Sequence, residues 1–218
     1  MRKKRQEVDR SDRLFIYIII GILVVISGIF FLPGLLPKPA PEVPAVNDSY
    51  KIFNGFRFDR SGDVWSTSIT VLNRRSNLTR EFNIMVHYTP DEVINMTSAK
   101  AKDSSNLAPR MLITADRVYI TTEKDYPAEV ILSGVEISKT LAAIYGQEVK
   151  GALTVPTAPN VPVMTCENST PETRVVYLVL SNQTGIFVEG ECILIKGETP
   201  KQVIMAGERL AYELLRII

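Results

Sequence analysis

Histidine, cysteine and tryptophan are scarce in this 218-residue chain: one His, two Cys and one Trp. With His87 as the only imidazole, any Ser–His or His–carboxylate machine must run through it. His87 alternates with Val86 and Tyr88, so it falls on the wetter face of a strand and reads as a surface or packing residue. A zinc site would need His87 together with two distant, disulfide-prone cysteines, which disfavours it. GxSxG, HExxH, CxxC and the phosphate-binding loop pattern are missing. The hydrolase, zincin, dithiol and nucleotide-binding classes that carry such signatures therefore lose their support. No cofactor is expected. A charge surplus is missing too. The formal net charge is +1, and residues 14–218 carry 19 basic against 21 acidic residues. A phosphate-binding groove needs the opposite balance, so nucleic acid is not an expected partner.

Against these absences stands one uncharged apolar run, Leu14–Leu32. As a helix it would span roughly 28 Å, close to the thickness of a bilayer core. Residues 1–13 hold six basic and three acidic residues, whereas Lys38 is the only basic residue between the run and Lys51. The positive-inside rule then puts residues 1–13 in the cytoplasm as a basic tail and residues 38–218 outside. A cleaved signal peptide is the rival reading. Its apolar core would be about 7–15 residues and would lead to a small-residue cleavage site. This run is longer, so a retained single-pass signal anchor at the cell membrane is preferred. GxxxG is absent, and Gly21 and Gly28 read as ordinary membrane-helix glycines.

Two further features agree with an extracytoplasmic setting. Cys166 and Cys192 both lie beyond the run, where an oxidising exterior favours a disulfide between them. Five Asn-x-Ser/Thr sequons also fall there, at Asn47, Asn77, Asn95, Asn168 and Asn182. They are candidate glycosylation sites, with Asn168 weakened by the proline at 171.

Residues 33–47 contain five prolines and no apolar period, the composition of a semi-stiff spacer. The ectodomain follows as a β-rich portion, 48–108, and a mixed α/β portion, 109–218. In the first, Asn54-Gly55 is a hairpin signal. Strands are expected around Phe56–Phe58, from Val64 through Val71, and over Phe82–Tyr88, with turns at 59–63 and 73–77. Together they make an antiparallel meander with one dry face, and Trp65 belongs to its core. Thr89-Pro90-Asp91-Glu92 has the cap, proline and reach-back glutamate of a helix start. The polar stretch 97–108 reads as a surface loop.

In the second portion, Met111-Leu112-Ile113 reads as a strand. Val130, Gly134, Ile137, Leu141 and Ile144 recur at helical spacing and stop at Gly146. Strands are expected at 148–154, 161–165 and 174–180. A tight hairpin at Gly190-Glu191 joins Ile186–Val188 to Cys192–Ile195. Thr199-Pro200 opens a closing helix with a stripe of Val203, Gly207, Leu210, Leu214 and Ile217, and with Arg209 and Glu213 paired on its wet side. Asp91-Glu92 and Glu189/Glu191 are the acidic pairs that could be imagined as acid/base or calcium ligands. Each has a plainer role, at a helix start and at a hairpin turn. The class is α+β.

The motifs YKIFNGFRF, DVWST and HYTPDEV continue into AEVILSGVEISKTLAAIYG, Thr165-Cys166-Glu167-Asn168, GECILIKG and ERLAYELL. In this combination the chain resembles uncharacterised single-pass membrane proteins of archaea. The resemblance spans most of the chain and implies an archaeal cell-surface setting, a Cys166–Cys192 bridge and no catalytic residues to carry over. The leading expectation is a non-enzymatic, membrane-anchored binding or assembly protein of the cell envelope, with a protein or glycan partner. Two alternatives remain open: an envelope hydrolase using paired carboxylates, and an accessory subunit of a membrane complex.

Overall fold

The computed structural model describes residues 49–73, 78–157 and 159–218. The basic tail, the Leu14–Leu32 run, the spacer 33–47, Asn47 and Asn77 lie outside the described residues. Among the described residues no helix is long and apolar enough to cross a membrane. The class is α+β, as expected.

Asn54 and Gly55 both take positive φ, 47° and 82°, the mirror-image turn that matches strand twist. They join β1 (Tyr50–Phe53) to β2 (Phe56–Ser61). The next turn is tighter than 59–63: β2 runs to Ser61, and Gly62 at φ 62° begins the two-residue reversal into β3 (Val64–Asn73). The meander closes with β4 (Leu78–Val86). Its dry face carries Phe58, Trp65, Ile69, Ile84 and Val86. The chain then turns through buried Thr89 into the short helix α1 (Pro90–Val93). The expected cap is present, with the Thr89 N–H donating to Glu92 Oε2 at 2.7 Å.

The second sheet is mixed. Its strands are β5 (Thr97–Ser98), β6 (Arg117–Thr122), β7 (Glu148–Leu153), β8 (Thr173–Leu180), β9 (Gly185–Glu189) and β10 (Cys192–Gly197), in spatial order β5-β9-β10-β8-β6-β7. β6 pairs in parallel with both β7 and β8, and β8 pairs in parallel with β10. One face packs on three helices: α2 (Leu107–Thr114), α3 (Ala128–Thr140) and α4 (Pro200–Leu215). Ile193, Ile195, Val176 and Val118 are fully buried there, each contributing about 1.5–3 kcal/mol. α3 widens into a π turn, Leu141–Tyr145, and ends at Gly146 with φ 68°. Asp48–Ile218 forms one compact unit.

Four expectations are corrected. Met111, Leu112 and Ile113 are not a strand but part of α2, because Ala108 and Leu112 share one buried helical face with Met111 beside it. The interior strand β6, between β8 and β7, is absent from the expected set. The stretch 97–108 is not all loop: Thr97–Ser98 is the edge strand β5, and Leu107 starts α2. Residues 161–165 form no strand but a strap across the outer face of the sheet. It is held by a Leu153–Val163 bridge and by the Thr121 hydroxyl donating to Met164 O at 2.8 Å.

The strap ends in a disulfide, Cys166–Cys192, with Cα atoms 5.1 Å apart. Cys192, Val175 and Leu194 form a small core beneath it. Closing that loop is worth about 3–4 kcal/mol in the chain-entropy account. The Cys166→Ser/Cys192→Ser variant should lose that much stability, read as a lower denaturant midpoint. Reductant should shift the native protein's midpoint and leave the variant's unchanged.

α3 and α4 approach closely at Gly207. A Cβ there would sit 1.9 Å from Ser133 Oγ and 2.9 Å from Ser133 Cβ. Gly207→Ala should therefore destabilise by about 1–3 kcal/mol through overpacking. Adding Ser133→Gly should return part of the loss in the same unfolding measurement.

Candidate functional site

The β2–β3 ladder has three pairs, ending at Asp59↔Ser66, while β3–β4 has nine. Beyond Ser66 the two strands diverge and leave a slot of about 640 Å³, within the usual range of ligand sites. Ser61 and Val64 flank a two-residue turn, so their backbone groups face each other. By alternation, the N–H and C=O groups of Ser68 and Thr70 face the slot from β3, and those of Arg57 face it from β2. No strand among the described residues pairs with these β3 groups. Ile144 and Tyr145 of the π turn, with Leu214 and Leu215 of α4, complete the lining. The Tyr145 hydroxyl donates to the Leu214 carbonyl. Burial raises its pKa above the ordinary tyrosine value, opposed by the nearby Arg216 charge.

Two cations stand at the rim. Arg57 donates to Asp59 at 2.8 Å and stacks on the Tyr50 ring at 4.5 Å. Arg216 ends α4 in the left-handed conformation, φ 58°, and is exposed without an ion-pair partner among the described residues. One acid faces two arginines, so the rim is left one charge positive. The arrangement offers backbone hydrogen bonds, an apolar floor and an uncompensated guanidinium. These are the elements of strand addition with a charged side-chain contact.

The residues singled out from sequence lie apart from this slot. Asp91 pairs with Lys51 at 3.1 Å, Glu92 closes the α1 cap, Glu189 pairs with Lys196 at 3.1 Å, and Glu191 pairs with buried Arg174. The two acidic pairs are thus tied to separate neighbours and do not converge on one cleft. Among the described residues no group of three or more His, Cys, Asp or Glu is placed to hold a metal ion. Asn95, Asn168 and Asn182 are all exposed. Asn168 is partly engaged, since its side-chain oxygen accepts the Thr165 N–H at 2.8 Å. Trp65 is in the core.

His87 has a partner that sequence spacing could not reveal. Glu208, fully buried on α4, accepts from the His87 N–H at 2.6 Å, the His87 ring Nδ1 at 2.9 Å and the Tyr88 N–H at 2.8 Å. The neighbouring Arg209 was expected on a wet face but is buried. Its guanidinium donates to the carbonyls of Val93 (2.9 Å) and Ile94, and to Glu213 at 3.0 Å. The reason is that α4 lies between the helix-bearing sheet and the meander corner, so it has no broad wet side. Burial raises the Glu213 carboxyl above its ordinary range, opposed by Ser98 and Arg209.

Burial also pushes Glu208 up to about 7, while the hydrogen bonds from His87 and Tyr88 pull it down. A raised carboxylate pKa means that the folded state binds the proton more tightly. The associated stability is full below the unfolded value near 4.5 and is lost as pH rises through about 7. Glu208→Gln should be less stable overall, by about 1–3 kcal/mol, because its amide cannot accept all three donors. Its unfolding free energy should also fall less between pH 4.5 and 8 than that of the native protein.

Comparison with protein-family models, curated proteins and solved structures finds no match to this chain.

Proposed function

We propose that this is a membrane-anchored, extracytoplasmic binding protein of the cell envelope, whose β2–β3 slot receives an extended polypeptide segment of a partner. The slot carries the reading. Its β3 wall presents Ser68 and Thr70 backbone groups with no strand partner among the described residues, above an apolar floor. A segment laid there would gain sequence-tolerant backbone bonds, with Arg216 favouring an acidic side chain at one end. The Leu14–Leu32 run and the basic tail support anchorage with residues 38–218 outside. The Cys166–Cys192 disulfide and the exposed sequons support an oxidising exterior.

A photo-crosslinking residue at Thr70 of the full chain, expressed in its host cells, tests the binding reading. A discrete protein adduct should form at Thr70 and not at exposed Lys124. Arg216→Glu should reduce that adduct several-fold. Absence of any adduct at Thr70 would overturn the slot assignment. Topology is tested separately with an amine reagent that does not cross membranes. Intact cells should label the lysines of residues 51–201, and labelling only after lysis would overturn the extracytoplasmic placement.

A further inference from the structure

Strand β7 is an edge of the mixed sheet, and its hydrogen bonds show which backbone groups face outward. Leu153 donates to Pro162 O at 3.0 Å and accepts from Met164 N at 2.9 Å, both in the strap. Thr154 N points the other way, to Thr122 O at 3.2 Å. Leu153 therefore faces outward, and by alternation so do Val149 and Gly151. The strap occupies the outer side of Leu153. Val149 and Gly151 pair with β6 on their inner side and have no strand partner on the outer side among the described residues. A Cβ at Gly151 would meet nothing within 4 Å.

The flank of this edge is apolar. Ile131 is 50% exposed, Val135 37% and Val161 36%. They line a groove of about 390 Å³ between α3 and the edge, together with Gly151. On the opposite face of β7 stand Glu148 and Lys150, 2.8 Å apart, each about half exposed. Charges on an edge strand usually discourage pairing. Here they are of opposite sign and two residues apart, so a two-fold axis midway between them sets Glu148 of each chain opposite Lys150 of the other.

We propose that β7 pairs antiparallel with β7 of a second copy, about a two-fold axis at Val149, giving one sheet that continues through both chains. In this register Val149 faces its own copy as a hydrogen-bonded pair, Gly151 faces Gln147 of the second chain, and Glu148 faces Lys150. Gly146, left-handed at φ 68°, turns each chain away before it reaches the other's strap. Shifting the axis to Lys150 would set two lysines opposite each other and drive Gln147 into the strap at Leu153. The strap and the charges therefore select one register. The groove walls of the two copies come to flank the same axis and cover each other's exposed side chains, as an isologous contact requires. This pairing uses a different strand edge from the slot and stands independently of it.

The test uses the full chain in mild detergent. Light scattering should give the mass of two chains. Val149→Cys should crosslink to its copy under mild oxidation, since facing Cα atoms in such a pair lie about 5.5 Å apart. Gly151→Cys should not, because its copy lies roughly 13 Å away along the strands. Gly151→Pro removes an outward N–H and should yield a monomer, since proline is tolerated on edge strands. A monomeric native protein would overturn the proposal. So would a dimer in which Val149→Cys crosslinks no better than Gly151→Cys, which would place the contact elsewhere, for example in the apolar run.

Discussion

Segment 87–94 leaves the meander, turns and forms α1 while pressed against α4. Several of its backbone N–H and C=O groups face α4 rather than open water, and a group left unpaired in such a place costs about 1–3 kcal/mol. α4 supplies what the segment lacks within two turns. Glu208 takes the N–H groups of His87 and Tyr88, Arg209 takes the carbonyls of Val93 and Ile94, and the Tyr212 hydroxyl donates to Tyr88 O at 2.6 Å. A carboxylate meets donors and a guanidinium meets acceptors, so the pairing has a fixed polarity. The same helix packs Leu210 and Leu214 into the core of the mixed sheet. Tyr212 meets Phe58 edge-to-face at 5.9 Å in the core of the meander. Both sheets therefore depend on one helix.

That dependence also sets the slot. Its floor is the C-terminal turn of α4 and the π turn of α3, and Tyr145 ties the two together. The β2–β3 ladder stops after three pairs because β2 follows β1 away from β3 over Phe56–Phe58, while β3 runs on with β4. Asn54 itself donates to Ile217 O at 2.8 Å, which anchors the β1–β2 hairpin to the end of α4. A gap between strands is thereby held open by contacts at its two ends.

Local chemistry in the sequence carried much of the fold. Asn54-Gly55, the Thr89–Glu92 cap, Gly146 and the Thr199-Pro200 cap were all legible, because each rests on steric or hydrogen-bonding needs within a few residues. The Gln202 N–H does donate to Thr199 Oγ1, at 3.3 Å. What failed depended on tertiary neighbours. β6 is buried on its central positions, yet Arg117-Val-Tyr-Ile-Thr-Thr shows no clean alternation, with Tyr119 and two threonines breaking the apolar pattern. Met111-Leu112-Ile113 is too short an apolar run to tell helix from strand. An Arg209–Glu213 pair looks like a solvated helix face unless one knows that a second sheet covers it. The slot left no signal at all. Arg57, Ser68, Thr70 and Arg216 are ordinary edge and cap residues, and only the unequal ladders bring them together.

The grip of α4 on residues 87–94 joins positions more than a hundred residues apart in the chain. During synthesis the meander is made well before α4. Until residues 200–217 arrive, Phe58, Trp65 and Val86 have half a core, and Val93 and Ile94 have no guanidinium to meet. The first part of the domain to be made is thus the last to be completed, and over that interval its apolar face stays open to chaperones or to aggregation.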